Sequence, residues 1–121
     1  MKNIDLVKVN KHIEEFVEER DWDKFHSLKN LVMALSVESS ELLEIFQWLN
    51  DEESAAVKND PLQKRRLEEE VADVFVYLMR IVSKADIDLE EVVLRKIKSN
   101  AEKYPVELAR GKATKYKDLV K

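Results

Sequence analysis

The chain has 121 residues, 38% of them charged, with one glycine, two prolines and no cysteine. That length holds one domain with a real core but not two, and the scarcity of turn residues excludes a strand-rich fold and points to an all-α one. Without cysteine there is no disulfide framework or thiolate chemistry; no apolar run nears the roughly 18 residues of a bilayer span, and Met1 to Asn10 lacks signal-peptide character, so a soluble cytoplasmic protein, with no membrane partner, is expected.

The first helix is expected over Asp5 to Glu19, where Leu6, Val9, Ile13, Phe16 and Val17 recur at helical spacing. His12 falls off that stripe and reads as a surface histidine. Arg20 to His26, reading RDWDKFH, sets two aromatics and a histidine in a short charged connector. Aromatics in such a loop tuck onto the core or line a pocket, and tucking is the commoner outcome. Ser27 is a good N-cap for a second helix to about Leu49. Asn50 to Asp60 is a polar connector with room for a short helix from Glu52 to Lys58.

The third helix is capped by Asp60, has Pro61 at its first position and Gln63 placed to close a capping box. It runs to about Lys84. The fourth starts at Asp88, with Glu91 placed for a second capping box and Ile87 against Val92 as a staple. It runs to about Lys103, and Tyr104-Pro105 ends it. These helices make a four-helix bundle over residues 1–105. Residues 106–121 follow as a polar, basic arm, expected to be extended with a weak Tyr116–Leu119 contact. The third helix has more apolar surface than one small bundle needs, which makes Val76 and Met79 candidates for a subunit interface.

The net charge of −4 is uneven: from Arg95 onward there are nine Lys or Arg against three acids, leaving −10 on residues 1–94. A basic tail of this kind is either a solvated face or a supply of cations for a bound polyanion. Nucleic acid is not the expected partner, because the whole chain is acidic and the tail carries no recognisable binding motif.

The chemistry concentrates in two pairs of acids. Glu38 and Glu41 lie in the second helix, Glu70 and Asp73 in the third, each pair spaced i, i+3 and so on one helical face. Glu38 takes the stripe position between Leu35 and Leu42 in a row that continues through Leu31, Ile45 and Leu49. Asp73 lies inside the apolar run Val71 to Val82. A buried carboxylate is costly unless paired or bound to metal. Glu70 has Arg66 four residues before it as an ion-pair partner; Asp73 has Glu69 and Tyr77 at those spacings and no such partner. Two readings stand on the residues alone: structural acids, or ligands of a metal. For a metal, di-iron and zinc sites call for His or Cys, which these motifs lack. Oxygen-only ligation suits Mg²⁺ or Mn²⁺, held together with substrate phosphates.

These residues also carry a resemblance. The series ERDWDKFH, ESSELLEIFQW, EEVADVFVYL and KIKSNAEKYPVELARGKATKYKDL, with 28 residues between ExxE and ExxD, resembles the MazG-like all-α nucleoside triphosphate pyrophosphohydrolases, and within them the dCTP pyrophosphatase branch. The similarity runs from Phe16 to about Leu119. It implies an enzyme that cleaves a (deoxy)nucleoside triphosphate, dCTP or a modified dCTP, to monophosphate and pyrophosphate, as in nucleotide pool cleansing. It implies Glu38, Glu41, Glu70 and Asp73 as Mg²⁺ ligands, with Glu41 the candidate to take a proton from water. It implies Trp22, His26, Trp48 and Tyr77 facing the nucleotide, Lys96 and Asn100 reaching phosphates or sugar with Tyr104 nearby, and a homodimer or homotetramer. In one place the chain departs from the branch: Ile13 stands where the branch has a base-contacting histidine, and His12 is one residue off. Two other classes stay open from sequence: a non-catalytic helical bundle that binds a nucleotide or partner, and a pyrophosphohydrolase of another substrate such as phosphoribosyl-ATP.

Overall fold

The computed structural model describes residues 1–120, and among them every regular element is helical. None of these helices is long and apolar enough to cross a membrane. The chain divides into two compact units, Met1–Asp86 and the segment from Ile87 onward.

In the first unit, α1 spans Leu6–Glu19 and opens where Asp5 Oδ1 accepts the Lys8 N–H at 3.0 Å. Its end is a Schellman turn. Asp21 takes the left-handed conformation, at φ 53°. The Asp21 N–H donates to the Glu18 carbonyl and the Trp22 N–H to the Val17 carbonyl, at 3.0 and 3.1 Å. Aspartate tolerates that conformation better than most residues. The turn folds Trp22 back so that its ring meets Phe16 edge-on, centroids 5.6 Å apart. A 3₁₀ turn over Asp23–Phe25 leads into α2, Leu28–Phe46, capped by Ser27 Oγ on the Asn30 N–H at 3.1 Å.

Helix α2 ends three residues before the expected Leu49. Past Phe46 the chain closes a turn in which the Leu49 N–H donates to the Phe46 carbonyl at 2.9 Å, and Asn50 then takes extended backbone to cap the next helix, α3 (Asp51–Ala56), in a full capping box with Glu53. Three acids in the first turn of α3 add to that start by facing the helix dipole. A 3₁₀ turn over Val57–Asn59 then inserts Val57, 1% exposed, into the core.

Helix α4, Pro61–Lys84, begins as expected, with Asp60 Oδ1 accepting the Leu62 and Gln63 N–H groups at 3.0 and 3.2 Å. Gln63 does not close a box, because the Asp60 N–H is already taken by the Val57 carbonyl. The core of this unit is Ile13 and Val17 of α1, Leu31 and Ile45 of α2, Val57, and Met79 and Val82 of α4. α2 packs chiefly along α4, and α1 also lies against α4. Met79, 5% exposed, is therefore spent in this chain's own core and is not free for a subunit interface.

In the second unit, α5 spans Leu89–Lys103, with Asp88 accepting the Glu91 N–H at 3.2 Å and no return bond from Glu91 among the described residues. The following arm is not simply extended. It holds α6 (Val106–Ala109) and a 3₁₀ turn over Tyr116–Asp118. Tyr116 packs edge-on against Tyr104, centroids 6.2 Å apart, and the Lys103 ammonium lies 5.0 Å from its ring. These aromatic contacts join the arm to the end of α5.

Leu31 is 1% exposed and Leu62 is 72% exposed. Leu31→Ala should cost about 2–5 kcal/mol of folding stability, and Leu62→Ala about 0.5 kcal/mol or less, read from denaturant midpoints.

Candidate active site

Glu38 and Glu41 stand on consecutive turns of α2, and Glu70 stands on α4 where the two helices pack. Each of the three brings a carboxylate oxygen within 4.8 Å of the others. Glu38 and Glu70 are half-buried, and one oxygen of each, Oε2, is shut off from solvent without a hydrogen-bond partner. The expected Arg66–Glu70 ion pair does not form; α4 instead has an exposed Arg65–Glu69 contact at 3.5 Å.

The expectation that these acids are buried holds only in part. Glu41 and Asp73 are exposed. The run Val71 to Val82 is not covered on all sides in this chain, with Val71 50% and Leu78 38% exposed. Asp73 stands outside the group of three, yet its charge acts on both Glu38 and Glu70.

Crowding sets the proton affinity of the group. Glu38 is pushed up to about 7, first by burial, then by Glu41, with which its protonated form can share a hydrogen bond, and by the charges of Glu41, Asp73 and Glu70. Glu70 is raised by burial and by Glu41. Two orphaned, shielded oxygens in a set of carboxylates at this separation fit a hard divalent cation. They do not fit a metal that needs imidazole or thiolate, since no His or Cys belongs to the group.

Beside the acids is a cavity of about 480 Å³, lined by α1, the connector and α4. That is within the usual range for a small-molecule pocket. Ile13, Phe16, Val17 and Val76 make its apolar wall, with Trp22 and Tyr77 as flat faces. His12, His26, Asp73 and Arg80 are its polar edges. Trp22 thus both tucks against Phe16 and lines the pocket, 43% exposed, while Phe25 stays out at 59%. Val76 faces this cavity, and His12, exposed as expected, also borders it.

Of the residues the sequence singled out, Trp22, His26, Asp73 and Tyr77 meet here. Trp48 does not: it follows the end of α2 and is 87% exposed. Lys96, Asn100 and Tyr104 belong to the second unit. Lys96 borders a shallow recess with Val92, Arg95 and Ser99. Asn100 is exposed, and its carbonyl accepts the Tyr104 N–H at 2.8 Å.

Arg80 escaped the sequence reading. It is 4% exposed and donates to His26 Nδ1 at 3.2 Å and Asp23 Oδ1 at 2.8 Å; Lys84 reaches the same Asp23 oxygen at 2.9 Å. Asp23 is held below the usual carboxylate range by the Lys84 hydrogen bond and by Arg80. His26 is lowered by burial and then by the Arg80 charge, against the opposing pull of Asp23. The available signal was a cation inside the apolar run Val71 to Val82, two helical turns after Asp73.

The MazG-like family model matches residues 33–119. Among curated relatives, dCTP pyrophosphatase 1 of Bos taurus is 44% identical over 105 residues and that of Homo sapiens 41%, each match covering 87% of this chain and 62% of the relative. The chain thus spans less than two thirds of the length of these relatives. A pyrophosphatase from Archaeoglobus fulgidus, known by crystal structure, superposes with a TM-score of 0.76 at 38% identity, covering 87% of this chain and 96% of that one.

A carboxyl group whose proton affinity is higher folded than unfolded binds more protons in the folded state. Stability from Glu38 is therefore fully present below its unfolded value near 4.5 and is lost as pH rises through about 7. Metal-free protein should denature at lower urea at pH 8 than at pH 5.5, and Glu38→Gln should flatten that slope.

Proposed function

The chain belongs to the MazG-like family, and from that membership and the geometry of the first unit we propose that it is a divalent-metal-dependent pyrophosphohydrolase of a nucleoside triphosphate, dCTP or a modified dCTP foremost. The products are the nucleoside monophosphate and pyrophosphate. The observation that carries this reading is the position of Asp73, which edges the cavity and is charge-coupled to Glu38 and Glu70. A base held between flat aromatic walls would leave its triphosphate beside the acids. The names of the relatives, dCTP pyrophosphatase and pyrophosphatase, support the same reaction.

Glu38, Glu41, Glu70 and Asp73 would hold Mg²⁺, with Mn²⁺ an alternative of the same hardness. When bound, the ion supplies neutralisation of phosphate oxygens and acidification of a water. Trp22 and Tyr77 offer stacking surface, worth roughly 1–3 kcal/mol per base contact, and the apolar wall of Ile13, Phe16 and Val76 excludes water from that side. Water attacks the α-phosphorus, the bond from that phosphorus to the bridging oxygen breaks, and pyrophosphate leaves with the electron pair. Glu41, the most solvent-open member of the group of three, takes the water's proton. For Lys96, Asn100 and Tyr104 as phosphate and sugar contacts, and for Trp48 at the nucleotide, the proposal rests on the resemblance alone.

The protein is further proposed to self-associate. On α2, Val32, Met33 and Val37 are 54–57% exposed and Leu43 is 60% exposed. Four large apolar side chains left exposed on one helix are material for an interface, and a second copy would cover them. Residues 1–105 as catalytic domain and 106–121 as an appended arm, in a cytoplasmic setting, complete the proposal.

With Mg²⁺ and a panel of ribo- and deoxynucleoside triphosphates, chromatography should show monophosphate and pyrophosphate in equal amounts, and chelation should abolish both. Glu41→Gln and Asp73→Asn should stay helical and lose at least about 10²-fold in rate. Light scattering on the same preparation should give two or four times the chain mass. Full activity in either variant, or activity in excess chelator, contradicts the assignment.

A further inference from the structure

One buried cation of the first unit plays no part in the acidic group. A guanidinium taken out of water needs its charge paired and its donors used. Arg80 meets both needs on a single short segment: Nη2 donates to Asp23 Oδ1 and Nε donates to His26 Nδ1. α4 thereby grips the connector at two points, the first residue of the 3₁₀ turn over Asp23–Phe25 and the residue that follows the turn.

The chemistry of this fork also places a proton. A guanidinium has N–H donors and no acceptor. His26 Nδ1 must therefore offer a lone pair, and the one N–H of the neutral ring sits on Nε2. Among the described residues no group of the chain bonds Nε2, and His26 borders the cavity that Trp22 and Tyr77 wall. Burial and the Arg80 charge both oppose protonation of the ring.

We propose that Arg80 is a positioning residue that locks His26 as the neutral Nε2–H tautomer, so that the pocket offers its ligand one fixed hydrogen-bond donor, matched to a ring carbonyl oxygen or an unprotonated ring nitrogen of a base. This rests on the cavity being the nucleobase pocket. The fixed tautomer adds what stacking cannot. Flat aromatic faces accept any base, whereas a fixed donor rejects a base that turns an N–H or amino group to the same point, because both donors are then left unpaired. Without Arg80, Lys84 still holds Asp23, but Nδ1 of His26 loses its partner and either ring nitrogen can carry the proton.

The test uses the full chain in solution. Long-range ¹H–¹⁵N spectra of the nucleotide-free protein report the tautomer of each of its two histidines, and His12→Gln assigns them. Wild-type His26 should be the Nε2–H form. Arg80→Gln should give a mixture of tautomers, and so should Arg80→Lys, which keeps the charge but not the planar fork. With the best nucleotide substrate, Arg80→Gln should raise KM by roughly 3- to 10-fold, with the loss falling on KM rather than kcat, as for a contact made equally in ground and transition states. Combined with His26→Ala it should add little to the single effect. An Nδ1–H tautomer in the wild type, or an unchanged tautomer in both Arg80 variants, overturns the proposal. If Arg80→Gln does not fold, by circular dichroism, the wild-type spectrum and Arg80→Lys decide. If the chain hydrolyses no nucleotide, the reading of its function fails, and the tautomer measurement still decides the role of Arg80.

Discussion

Three carboxylates within 4.8 Å of one another are the constraint around which this molecule is arranged. Packing α2 on α4 forces Glu38 and Glu70 together and shuts one oxygen of each away from water with no donor to meet it. Ionised, the group repels itself and is poorly solvated; it becomes stable by holding a proton or a cation. The elevated proton affinity of Glu38 is the signature of the first solution. The proposed enzyme exploits the second, in which the same repulsion becomes affinity for a hard ion.

The rest of the first unit supplies a place for a ligand next to that charge. Local backbone chemistry does most of this work. The Schellman turn after α1, made possible by Asp21 in a left-handed conformation, swings Trp22 back onto Phe16 and into the wall of the cavity. Ser27 starts α2 so that its stripe of Leu31, Leu35, Glu38, Leu42 and Ile45 faces inward. Arg80 then fixes the intervening connector through Asp23 and His26. Aromatic walls and histidine are thus set by two helix ends and by the ion pair of buried Arg80 with exposed Asp23.

Much of this was legible in the sequence because it depends on spacing and caps. The starts of α1, α2, α4 and α5 follow from Asp5, Ser27, Asp60 and Asp88, each of which accepts a backbone N–H of its own first turn. The interruption of an apolar stripe by Glu38 pointed to the place where acids gather. Features that depend on competition between elements were hidden. The early end of α2 goes with a turn closed by the Leu49 N–H on the Phe46 carbonyl, ahead of the Asn50 cap, and the unformed box at Gln63 follows from a carbonyl of the preceding turn. Met79 and Val76 looked alike as surplus apolar residues, but one fills the core and the other faces the cavity. Arg80 stood out only as a cation in an apolar run, and its partners were hidden because they lie more than fifty residues earlier in the chain. Helical periodicity reports which face a residue occupies and says nothing about what meets it there.

In the proposed enzyme an ion displaces a proton from the crowded acids, and calorimetric titration of Mg²⁺ or Mn²⁺ into nucleotide-free protein near pH 7, in buffers of different ionisation enthalpy, measures that displacement directly. With Glu38 near 7, binding should release roughly half a proton per ion, and Glu38→Gln should abolish the release while Glu70→Gln weakens binding. Binding that releases no proton and is indifferent to both substitutions would contradict it.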